Sequence, residues 1–338
     1  VQAEADRFEL KAGGVRGPHL KSAGLSVPRS AHARRRLIRP FRASYRSKPQ
    51  VTKPTATAGF IAPAVVVVVA LMYLPFLYSV YISFTNYDGL GSPRWDGIAN
   101  YVQLFHDPEM VDAIRNTAVW VVAGVVVPVA LGLGLAILTY GIRHGGWYRL
   151  PFLLPYAMSG AGVAVIWGFI LQPGGALGDV LKTLGLPGSG TAWLSYWPDS
   201  TIAMVIASAW QATGVNCLLF VVGLQAVPVA VLEAAEIDGA RAFTKLWRVT
   251  LPLLRPMTIV VVGLAIVAAL KTFDIVWVMT QGGPGYTSTT LATAMYSQTF
   301  VADSYGYGAA IAVLLTVVTG LASAVYLKQQ VQVGGVKR

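Results

Sequence analysis

The residues able to do chemistry in this chain fall into three groups, and none has the makings of a reaction centre. Between Gln225 and Pro256, the carboxylates Glu233, Glu236 and Asp238 precede the cations Arg241, Lys245 and Arg248. Such a segment can grip another protein through ion pairs, but it pairs no nucleophile with a base. The second group, Trp210, Gln211, Thr213 and Asn216, puts an aromatic face and several hydrogen-bonding groups into otherwise apolar sequence. A polyhydroxylated solute needs both, because its hydroxyls require partners inside an apolar cavity and its ring packs on an aromatic face. The same residues could instead tie helices together inside a bilayer. The third group is Lys271 with Asp274, three residues apart and able to pair on one helical face. A lysine within a membrane helix costs about 2.5 to 3.5 kcal/mol on insertion scales, so it must face protein, water or a counter-charge. Lys271 and Asp274 therefore form a structural ion pair or touch the solute directly.

The remaining reactive types carry less. His19, His32, His106 and His144 show no metal-ligand spacing. Cys217 is the single cysteine, so no intrachain disulfide can form, and its apolar surroundings mark it as a small packed residue. No Gly-Lys dipeptide occurs, which excludes a Gly-x-x-x-x-Gly-Lys-Ser/Thr phosphate loop. Asp88, Asp96, Asp107, Glu109 and Asp112 read as solvated faces.

The elements that hold these groups must be membrane helices. With 55% apolar and 12% charged residues, the chain belongs in a bilayer. Six apolar runs are long enough to cross about 30 Å of hydrocarbon. They are Ala58 to Phe84, Asn116 to Thr139, Leu150 to Leu171, Thr201 to Ala226, Met257 to Thr280, and Tyr307 to Leu327. Continuous rather than alternating apolarity makes them helices and not barrel strands, giving an all-α polytopic fold with six transmembrane helices. The first run lacks a cleavage site of small residues and is expected to remain as a span.

Charge sets the orientation. Residues 1 to 53 hold 13 of the 26 Lys and Arg but 3 of the 15 acids. This localised basicity, including Arg34, Arg35 and Arg36, bears on membrane orientation and argues against nucleic-acid binding. With the N-terminus inside, the later cytoplasmic segments carry nine Lys and Arg, and the outer loops carry three, Arg94, Arg115 and Lys182. Both termini are thus expected in the cytoplasm, with residues 1–57 as a basic, disordered tail and residues 58–338 as the membrane domain. Val51 is a candidate alternative start, so the residues before it need not be native.

The segment at 227–256 is built as a helix, a stop and a second helix. Pro228 suits a first turn, and the residues after it are mostly helix formers with Glu233 and Glu236 toward the positive end. Gly239 allows a left-handed stop and Asp238 could cap the helix that follows. Phe243, Leu246 and Trp247 share a face suited to lie against the membrane domain.

These residues also carry a resemblance. Glu233-Ala234-Ala235-Glu236-Ile237-Asp238-Gly239-Ala240, then Phe243 and Leu251-Pro252-Leu253-Leu254-Arg255-Pro256, resembles the EAA loop of binding-protein-dependent ABC transporter permeases. The resemblance implies that this loop is a coupling helix docked on a separate ATPase subunit. Glu233, Ala234, Ala235, Asp238, Gly239, Phe243 and Pro252 would be its contact and turn positions. Lys271 through Pro284, with Gly97-Ile98-Ala99-Asn100-Tyr101 and Asn116-Thr117, is similar to carbohydrate-uptake permeases of that family. It implies a sugar permease subunit in the cell inner membrane. Its expected partners are a second, non-identical permease, two ATPase subunits that hold ATP and Mg, an extracytoplasmic solute-binding protein and membrane lipids. No cofactor would sit on this chain, which would be a transporter subunit and not an enzyme.

Two rivals remain open at this level. One is a secondary transporter driven by an ion gradient, for which the only echo is Leu150-Pro-Phe-Leu-Leu-Pro155 against Leu251-Pro-Leu-Leu-Arg-Pro256. The other is an ABC importer of a non-sugar polar nutrient.

Overall fold

The computed structural model describes residues 54–334. The chain divides into Val1–Ala58 and Gly59–Arg338, and all six candidate spans lie in the second unit. Most of the expected basic tail, and Val51 within it, lie outside the described residues.

Six helical segments are long and apolar enough to span a membrane: Ile61–Ile82, Pro108–Thr139, Gly160–Thr183, Asp199–Gln225, Arg255–Thr280 and Tyr305–Gln330. All six expected spans are present, and the structure shifts their ends and breaks two of them. The third departs most. Its expected start, Leu150, lies in a separate short helix, Gly145–Leu153, followed by a 3₁₀ turn at Pro155–Ala157. Pro155 has no N–H to continue the helical ladder, so the chain turns there. It restarts at Gly160–Leu171, where the Ser159 hydroxyl caps by accepting from the Gly162 N–H at 3.1 Å. The fifth span is broken as well, into Arg255–Leu270 and Asp274–Thr280.

The second span gains about two turns at its start because Asp107 caps it, accepting from the Glu109 N–H at 2.9 Å. Two short features lay outside the expected pattern. Thr85–Asn86 and Arg94–Trp95 pair antiparallel between the first two spans. Leu291–Phe300 is a helix before the last span, closed by a capping box between Thr290 and Thr293.

The second and fourth spans form the centre. Half of the fourth span's apolar window is buried, against 6% for the first span, which is therefore peripheral. Val125, Val129, Ala136, Cys217, Phe220 and Leu224 interlock along this pair. Close approach depends on Gly132, where an added Cβ would lie 2.6 Å from the Asn216 Cβ and 2.9 Å from the Cys217 N. Small residues at such crossings let helix backbones gain van der Waals contact that lipid cannot supply. Cys217 is buried, as its sequence context implied. Arg149 ties the end of the second span to the short helix after it, donating to the Thr139 Oγ1 at 2.7 Å and the Thr139 carbonyl at 2.9 Å. There its cation also meets the negative end of a helix.

Candidate functional site

The loop between the fourth and fifth spans holds one well-formed exposed helix, Val229–Ile237, with Pro228 as its N-cap. Glu233, Ala234, Glu236, Asp238 and Gly239 are exposed and Ala235 is half-buried. Glu233 and Glu236 lie beyond the first turn, so neither is placed to interact with the positive helix end, contrary to the sequence expectation. The helix stops through a Schellman arrangement: the Gly239 N–H donates to the Glu236 carbonyl at 3.0 Å, and the Ala240 N–H to the Ala235 carbonyl at 2.9 Å. Gly239 adopts φ of +78° to make it, as its residue type allowed.

Two expectations for this loop need correction. Asp238 does not cap the following helix; it is the C-cap of the first, and Arg241 occupies the N-cap of Ala242–Lys245 without a side-chain bond. The reason is the Gly239 turn, which leaves two further residues before helical geometry resumes. Phe243 and Trp247 do not lie against the membrane domain. They are 73% and 57% exposed and pack on each other at 5.9 Å, while only Leu246 turns inward. The second helix lasts one turn before a π-turn at Leu246–Thr250 rotates the face away. Lys245 forms an ion pair with Glu236, joining the two short helices. Pro252 is exposed in Leu251–Leu253.

The polar residues of the fourth span do not converge. The Gln211 amide donates to the Met158 carbonyl at 2.8 Å, and the Thr213 hydroxyl to the Ala209 carbonyl at 2.6 Å, so both are satisfied structurally. Trp210 packs edge-on against Trp167 at 6.0 Å and, with Thr213, lines an apolar cavity of about 500 Å³ together with Leu131, Leu138 and Ile206. Asn216 faces a different cavity, of about 300 Å³, shared with Trp120, Tyr156, Ser208 and Thr272. Its amide makes no hydrogen bond among the described residues. Trp120, Tyr156, Ser208 and Thr272 went unnoticed in the sequence because each is unremarkable until the helices are assembled.

Lys271 and Asp274 do not pair. Among the described residues the ion pairs are Arg115 with Asp112 and Lys245 with Glu236. The helix ends at Leu270, Phe273 takes φ of −129° and ψ of −61°, and Asp274 opens the next segment, so the i,i+3 geometry is lost. Both side chains are exposed. The Asp274 carboxylate instead lies against Gly160 at the start of the helix Gly160–Leu171.

The structure brings together the motifs that were far apart in sequence. Asn116, fully buried, donates from Nδ2 toward the carbonyls of Tyr286, Thr287 and Thr289 at 3.4, 3.2 and 3.0 Å. Thr117 accepts from the Leu291 N–H at 3.0 Å, and Thr290 donates to the Thr272 carbonyl at 3.0 Å across the break in the fifth span. The Gln281-Gly-Gly-Pro284 turn is thereby latched to the second span. A similar lock holds the first span, where the Asn100 amide donates to the carbonyls of Ser83 and Thr85 at 3.0 and 2.9 Å. The Tyr101 and Ser83 hydroxyls share a bond of 2.7 Å.

A bundle of six apolar helices long enough to cross a membrane, with one ion-paired helical loop left exposed between the fourth and fifth, defines a polytopic membrane protein. Residues 129–333 match the family described as binding-protein-dependent transport system inner membrane component, and the chain belongs to it. It is a multi-pass inner-membrane subunit of a transport system. It is 34% identical to the sulfoquinovosyl glycerol transport system permease protein SmoG of Agrobacterium fabrum, over 79% of this chain and 88% of that one. It is 33% identical to the multiple sugar-binding transport system permease protein MsmF of Streptococcus mutans, over 80% and 93%. In fold it is similar to a chain of the bacterial alginate ABC transporter solved with its alginate pentasaccharide-bound periplasmic protein. That match has a TM-score of 0.70 at 18% identity and covers 80% of this chain and 92% of the other.

Proposed function

We propose that this chain is one of two non-identical permease subunits of an ATP-driven importer for a sugar or sugar-like solute. The solute is delivered by an extracytoplasmic binding protein. Two separate ATPase subunits carry ATP and Mg, and they act on this chain through the helix Val229–Ile237.

The observation that carries the reading is the exposure of that helix and its neighbour. Ile237 is 87% exposed and Phe243 73%, beside the free carboxylate Glu233. Large apolar residues left uncovered next to charge are what a docking surface requires. Glu233 would meet a basic group of the ATPase, while Ile237 and Phe243 supply the apolar contact. Closure of the ATPases on nucleotide would then move this helix as a lever. The Lys245 pair with Glu236 makes its two short helices move together, and the path would switch between outward and inward access.

Sugar as the solute rests on the chemistry of the Asn216 cavity together with the transport of sugars named for the relatives. The cavity offers aromatic surface from Trp120 and Tyr156 with polar groups from Ser208, Asn216 and Thr272. Lys271 and Asp274 are exposed within the fifth span, so they suit a water-lined path or the second permease better than lipid.

The test is purification of the assembled transporter with wild-type chain and with Glu233→Ala. Co-purification of an ATPase and a second permease with wild type, and weaker or uncoupled ATPase with the variant, is expected. A wild-type chain that purifies stably without any ATPase would refute the reading.

A further inference from the structure

A polar cavity of about 340 Å³ lies between the start of the second span and the turn after the fifth, lined by Glu109, Gln281, Gly283, Tyr286, Thr293 and Ser297. The loop-charge count places it at the extracytoplasmic face. Glu109 is only 7% exposed. Its Oε2 accepts from the Gln298 amide at 2.9 Å, and its other oxygen has no partner among the described residues. Neither of the two ion pairs among the described residues includes it. The neighbouring Asp107 is occupied, accepting from the Tyr307 hydroxyl at 2.9 Å, and adds further negative charge.

A carboxylate taken out of water with one amide for company is costly unless a positive group completes it. Two of the cavity's hydroxyls are already engaged. Thr289 donates to the Gly282 carbonyl at 3.1 Å and Thr293 to the Thr290 carbonyl at 3.0 Å. Gln281, Tyr286 and Ser297 can each donate or accept, and Glu109 is the one charged group among the lining residues, so the complementary ligand is a cation that donates to it. A bare metal ion does not match, since no group of three His, Cys, Asp or Glu is assembled among the described residues. The volume far exceeds an ion and accommodates a guanidinium or alkylammonium with part of its stem. The outer segments as a whole carry eight carboxylates against three bases, so a partner arriving there meets an attractive field for positive groups.

We propose that this cavity is the socket for an arginine or lysine side chain of the extracytoplasmic solute-binding protein, with Glu109 as its counter-ion. This rests on the importer reading above and assigns the docking contact that the reading leaves unplaced. Gln298 holds the carboxylate in position, and the Asn116 latch holds the turn that forms the opposite wall. Seating the cation on that turn would register binding-protein arrival at the fifth span, which carries Lys271 and Asp274.

The experiment uses the complete transporter in lipid nanodiscs and its own solute-binding protein, following association and dissociation for wild type, Glu109→Gln and Glu109→Lys. Glu109→Gln preserves shape, and its thermal unfolding is measured beside it as a check on folding. At least about tenfold weaker docking is expected for Glu109→Gln, carried mainly by faster dissociation, together with a flatter dependence on salt. Glu109→Lys should be worse, and restored in part by one Arg→Glu or Lys→Glu change on the binding protein. A folded Glu109→Gln transporter that docks with wild-type affinity and salt dependence overturns the socket and leaves the importer reading standing. A wild-type transporter that does not dock the binding protein overturns both.

Discussion

Gly239 offers the sharpest perturbation of the coupling loop. It holds φ of +78° with no atom within 4 Å of an added Cβ, so a substitution there meets no collision and pays only for backbone conformation. For an L-residue that penalty is about 1–2 kcal/mol. The two bonds that close the helix, from Gly239 to Glu236 and from Ala240 to Ala235, contribute about 0.5–1.5 kcal/mol each. Penalty and closure are therefore comparable, and a large share of the loops would leave the docking shape. A shift of 1–2 kcal/mol corresponds to about 5–30-fold in that population, and apparent affinity for the ATPase falls by up to the same factor. Gly239→Asn should retain most of the affinity, because asparagine tolerates the left-handed region. Gly239→Ala should lose about 5–30-fold and Gly239→Val more, since branching at Cβ adds strain. The assay is titration of purified ATPase subunit against the permease pair in nanodiscs, read as nucleotide hydrolysis. An alanine variant equal to wild type, or an asparagine variant as poor as valine, would refute the reasoning.

Asn116→Leu removes the donor that serves one buried and two part-buried carbonyls and should destabilise by about 2–4 kcal/mol, counting one or two acceptors left unpaired. Thermal unfolding with limited proteolysis of the turn at 281–290 checks it, and Asn116→Asp should be worse still because it presents an acceptor to acceptors. Gly132→Val drives a side chain into Asn216 and Cys217, with an expected loss of about 1–3 kcal/mol and reduced recovery of folded protein on size exclusion. Asn216→Leu should leave unfolding close to wild type, because the amide holds no helix in place among the described residues, yet raise the KM for uptake. Unchanged KM would take Asn216 out of the solute path.

Much of this architecture was readable in the chain because membrane spanning imposes a length of continuous apolarity that local sequence cannot hide. The fourth span, expected from Thr201 to Ala226, runs Asp199–Gln225. The stop at Gly239 was equally readable, since one residue type answers one backbone requirement. The break at Lys271–Phe273 was not, for it contains neither proline nor glycine. It is set by the turn at 281–290 reaching back through Thr290 to the Thr272 carbonyl. The helix Leu291–Phe300 was missed because its capping box uses Thr293 where glutamate or glutamine would have signalled it. Asn116 and Thr289 lie 173 positions apart, so their bond has no local signature at all.

The most direct test of energy coupling is solute uptake into proteoliposomes holding the assembled transporter, with solute-loaded binding protein outside and ATP inside. An ATP-driven importer takes up solute only with internal ATP and is indifferent to a protonophore, and Glu233→Ala lowers uptake per ATP hydrolysed. Uptake that proceeds without ATP and collapses on adding the protonophore would contradict it, and would place this chain among carriers driven by an ion gradient.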